Sequence, residues 1–149
     1  MDTRTEREML NRLIEICKDG ERGFHTAAQH VGDGTLKALL LELSTQRAAF
    51  AAELVPHAQR LGGAETSDGT SAGALHRSWM NLKGMLTGHQ DDTVLGEAVR
   101  GEEAALAAYK DALASVLPPT VTDLVERQYA AVKDAAARVA AFEFARRNA

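Results

Sequence analysis

Four times along this chain of 149 residues, apolar side chains recur three and four positions apart over long, nearly unbroken stretches. That spacing lines one face of an α-helix and leaves a stripe that must be buried against another element. The first stripe is Leu10, Leu13, Ile14, Cys17, Phe24, Ala28 and Val31, on a helix expected over 3–31. The second is Leu36, Leu39, Leu40, Leu43, Phe50, Leu54 and Leu61, over about 35–61. The third, Leu95, Val99, Leu106, Tyr109, Leu113 and Val116, covers about 92–116; the fourth, Val121, Leu124, Val125, Val132, Ala135, Val139 and Phe142, covers about 120–146. Four such helices in one chain of this length predict an all-α fold, a single domain over 1–149.

Punctuation between the stripes supplies the connectivity. Gly32-Asp33-Gly34 is a tight turn, and Asp33 can cap the second helix. Pro118-Pro119 stops the third helix, and Thr120 is the expected cap of the fourth. Pro56 interrupts the second pattern and predicts a kink. Gly20 and Gly23 sit inside the first helix, each at a cost of about 1 kcal/mol against alanine, and so mark close helix packing. Short turns make antiparallel neighbours, so helices one and two form one hairpin and helices three and four another. The hairpins are joined by a long crossover over about 62–91, with a shorter helix expected at 71–87 carrying Ala74, Leu75, Trp79, Leu82 and Leu86. The expected architecture is an antiparallel four-helix bundle with one long crossover.

Composition narrows the function classes. Net charge is -4, which argues against a broad basic surface for nucleic acid. No apolar run reaches the roughly 18 residues of a membrane span. The charged start, Met1 to Glu8, carries no signal-peptide core, and the single Cys17 cannot form an internal disulfide. A cytoplasmic setting is the expectation. The five histidines, His25, His30, His57, His76 and His89, make no standard ligand pair.

The informative positions are those where a core stripe is interrupted. Each stripe carries one long polar side chain near its middle: Glu21, Gln46, Glu102 and Gln128. Mid-helix positions of an antiparallel bundle meet at similar height, so these four are expected to form one polar layer. Buried carboxylates and amides are costly unless paired. An amide N–H₂ satisfies a carboxylate without adding charge, so Glu–Gln hydrogen bonding is the expected chemistry. Should the register of helices two and four differ, Glu42 and Glu126 are the acids that would replace the amides. Cys17 reads as a small buried hydrophobe, because no base stands near it to activate a thiolate. Trp79 and Met80 read as core or as a cover on the bundle flank.

These residues also carry a family resemblance. Glu21-Arg22-Gly23-Phe24 through Ala28 resembles the first helix of the rubrerythrin and ferritin-like group, and Glu102-Glu103-Ala104-Ala105 through Tyr109 resembles its third. That resemblance implies a metal-binding Glu on each of these helices, Glu21 and Glu102, and a Glu-x-x-His motif on each of the others. Those motifs fall on Gln46-Arg47-Ala48-Ala49 and Gln128-Tyr129-Ala130-Ala131, where both acids are amides and both histidines alanines. The chain as a whole is similar to a bacterial branch of the group that is classed as a domain of unknown function. The segments that carry this likeness lie at 13–21, 46–54, 73–83 and 100–102.

Two readings of function follow. The first is a non-enzymatic, metal-free bundle with no cofactor, acting in structure, interaction or stress response, with homo-oligomerisation open to it. The second is a di-iron or di-manganese carboxylate oxidoreductase or peroxide scavenger, using Glu21 and Glu102 with Glu42 and Glu126. A carboxylate-bridged two-metal centre needs about four carboxylates and two histidines. The layer as read offers two carboxylates and no histidine, which favours the first reading.

Overall fold

The computed structural model describes residues 3–62 and 90–148, and within them the chain is helical apart from turns. The helices are α1 (Thr3–Ala28), α2 (Gly34–Arg60), α3 (Asp91–Leu113) and α4 (Pro119–Arg147). The crossover, its expected helix at 71–87, Trp79, Met80, His76 and His89 lie outside the described residues.

Side-chain bonds fix the relative directions of the helices. α1 and α2 are antiparallel, because Arg7 lies opposite the Leu61 carbonyl and Ser44 donates to the Glu21 carbonyl. α3 and α4 are antiparallel as well, with Tyr109 against Gln128 and Asp92 against Arg146. Across the hairpins, Arg12 pairs with Asp111 and Glu53 with Arg127, so α1 opposes α3 and α2 opposes α4. It follows that α2 and α3 run the same way and stand on a diagonal. The end of α2 and the start of α3 are therefore at opposite ends of the bundle.

Helix ends show where local chemistry overrode the periodic pattern. Asp33 caps α2 as expected, accepting from Leu36 N at 2.9 Å. α2 runs through Pro56 and ends at Arg60, with Leu61 as its cap residue and Gly62, whose φ of +79° suits glycine, just beyond. α1 stops at Ala28 rather than near Val31, because Gln29 and His30 wind into tighter i→i+3 bonds and the amides of Gly32 and Asp33 are captured by the Asp91 carboxylate at 2.8 and 3.0 Å. α3 stops at Leu113, three residues short of expectation, with Leu117 turning inward before the prolines. Thr120 does not cap α4: Pro118 is the cap residue, and Pro119 takes the first helical position, where its fixed φ fits and its missing N–H costs nothing.

The core divides into two apolar clusters. One gathers Leu10, Leu13, Cys17, Leu54, Tyr109 and Val125 with their neighbours; the other gathers Phe24, Leu36, Leu40, Leu43, Leu95 and Val139 with theirs. Along α1, α2 and α3 the break between the clusters falls at mid-helix, and polar side chains fill it.

Candidate functional site

Two of the four expected polar residues are buried: Glu102, 1% exposed, in that break, and Gln128, fully buried, inside the first cluster. Glu21 and Gln46 are only half-buried, so the expected layer of four is corrected. The cause lies on α2. The 4-3-4-3-4 spacing of Leu36, Leu40, Leu43, Arg47, Phe50 and Leu54 faces inward, which puts Arg47 into the core and leaves Gln46 beside it. Glu15 and Asp19 of α1 are buried too, Asp19 at 3.9 Å from Arg22.

Arg47 is among the largest fully buried side chains described. It reaches along the α2–α3 diagonal, where Nη1 donates to Glu102 Oε1 at 2.7 Å and Nη2 to Oε2 at 2.8 Å. This is the bidentate arrangement that matches guanidinium to carboxylate. Nε donates to Gln46 Oε1 at 3.2 Å, and the guanidinium carbon lies 5.3 Å from the centre of the Phe24 ring. Room for the stem comes from α1: a Cβ on Gly20 would stand 3.2 Å from Arg47 Cγ. Gly20 thus marks close packing, as its place inside a helix suggested. Burial opposes the charge on Arg47, but the hydrogen bonds and charge of Glu102 exceed it and hold the guanidinium above its ordinary pKa.

A second chain of hydrogen bonds leaves the core toward the surface. Tyr109 donates to Gln128 Oε1 at 2.7 Å. Its single proton is then committed, so the Cys17 thiol, 3.2 Å away, is the donor to the phenol oxygen. Gln128 Nε2 donates to the Phe50 carbonyl at 3.2 Å and to Glu53 Oε1 at 3.1 Å, and Arg127 pairs with the other Glu53 oxygen at 3.1 Å. Burial pushes the Cys17 thiol up to about 11, against the smaller opposing effect of the Tyr109 bond. Burial likewise raises Tyr109. Both groups are therefore neutral near pH 7, and Cys17 has the character of a packed thiol rather than a nucleophile.

The residues present do not fit the two-metal centre that the ferritin-like resemblance implies. Among the described residues, no three His, Cys, Asp or Glu side chains converge as a metal site would require. Glu42 is exposed and paired with Arg138, and Glu126 is exposed. Neither approaches Glu102 in the role the second reading gave it, and that assignment is corrected. Both Glu102 oxygens are bound by a guanidinium, so a cation already stands at the one fully buried acid of the predicted layer. Arg47 was missed because burying an arginine is costly and the amide next to it also falls on a helical spacing. Gly20, an unexplained glycine inside the opposite helix, was the available signal.

With this geometry in view, comparison with solved structures places the fold. The chain superposes on the crystal structure of a two-domain protein containing DJ-1/ThiJ/PfpI-like and ferritin-like domains from Anabaena variabilis ATCC 29413, with a TM-score of 0.79 and 17% sequence identity. The match covers 100% of this chain and 42% of that one. The fold is therefore a ferritin-like four-helix bundle. The chain belongs to the family described as Domain of unknown function (DUF2383), whose model matches residues 5–115. No curated protein matches it.

Proposed function

We propose that this chain is a non-enzymatic ferritin-like bundle that holds no metal and works through its surface, as a structural or interaction module. The observation that carries this reading is the buried Arg47–Glu102 pair. An enzyme of the two-metal type keeps its central carboxylates free for cations and substrate. Here the central carboxylate is saturated by the protein's own cation, and Tyr109, Gln128 and Cys17 are spent on one another. Occurrence of the same fold beside a second domain in the Anabaena variabilis protein supports a modular role. A buried free thiol and a net charge of -4 suit a reducing cytoplasmic setting and a role without nucleic acid. No helix among the described residues is long and apolar enough to cross a membrane.

The test is elemental analysis of protein purified without chelator, repeated after anaerobic Fe(II) loading and removal of excess. Metal at background in both samples is expected. About two irons per chain, the content of an intact carboxylate two-metal centre, would overturn the reading and call for an oxidase or peroxidase assay.

A further inference from the structure

We draw no further inference here: the strongest candidate, the groove of about 540 Å³ between the first half of α2 and the second half of α4, lined by Ala38, Leu39, Ala141 and Phe142 and crossed by the Glu42–Arg138 ion pair, carries nothing because no feature of the structure shows what covers it.

Discussion

Two of the arginine–glutamate pairs on α2 sit in opposite surroundings. At its middle, Arg47 meets Glu102 across the bundle with both side chains 2% exposed. Less than two turns on, Glu53 meets Arg127 at 37% and 62% exposure. In water the attraction is screened, and ordering two long side chains offsets most of it, so exposed pairs contribute about 0–1 kcal/mol. In the core the attraction is large, but so is the cost of removing both ions from water. The buried pair is therefore no net gain over two apolar side chains, yet neither partner can be lost alone. What it provides is a demand for one arrangement: α2 and α3 must present position 47 to position 102, and α1 must present a glycine to the arginine stem. A centre of this kind ties the register of α2 and α3 to one pair and leaves both Glu102 oxygens bound to a guanidinium.

The largest effect expected from breaking that contrast is at Arg47. Arg47→Met leaves the Glu102 carboxylate buried without its cation and should cost about 3–5 kcal/mol in urea unfolding. A loss below about 1 kcal/mol would mean that the buried pair behaves like a surface one. Next in size is an alkaline effect at the neighbouring thiol. Cys17 is raised by burial to about 11, so the folded state keeps a proton that the unfolded chain gives up near pH 9. Stability is fully present below pH 9 and is lost as pH rises toward 11, by roughly 2 kcal/mol. Cys17→Ala should remove that part of the alkaline slope. The remainder, from Tyr109, whose raised pKa acts in the same direction, should persist. At neutral pH, a thiol reagent should modify Cys17 only as fast as the protein opens.

Gly20→Ala follows. Alanine ordinarily gains about 1 kcal/mol over glycine within a helix, but here its Cβ would press on Arg47 Cγ at 3.2 Å. That stem is held by Glu102 at its far end and cannot withdraw, so a net loss of about 1 kcal/mol is expected from overpacking of a filled core. A gain would show that the arginine shifts freely. Smallest is Arg127→Ala, expected to change stability by less than about 1 kcal/mol, and less again in high salt.

The same contrast explains how much was readable from the amino-acid order. The four stripes, the Asp33 cap, the short turns and the ferritin-like fold follow from periodicity and punctuation, because local spacing decides which face of a helix is apolar. Glu102 and Gln128 were found as interruptions of a stripe, and both are buried. Position 46 against 47 was another matter. Both continue a spacing of three and four from Leu43, and one residue is 100° of helix rotation. General burial tendencies favour glutamine over arginine there. Only the partners decide, a carboxylate across the diagonal and a glycine on α1, and these are far apart in sequence. Helix ends missed by a few residues for a similar reason. α1 ends where Asp91, some sixty positions away, captures its turn.

The most direct measurement is a double-mutant cycle on the diagonal pair. Arg47→Met, Glu102→Leu and the double variant would be unfolded in urea beside the same cycle at Arg127 and Glu53. The expected result is a coupling of at least about 2 kcal/mol at the buried pair, with the double variant close to wild type or above it, against less than about 1 kcal/mol at the surface pair. Equal couplings at the two pairs, or a double variant as unstable as the sum of its singles, would contradict a centre closed by Arg47 and Glu102.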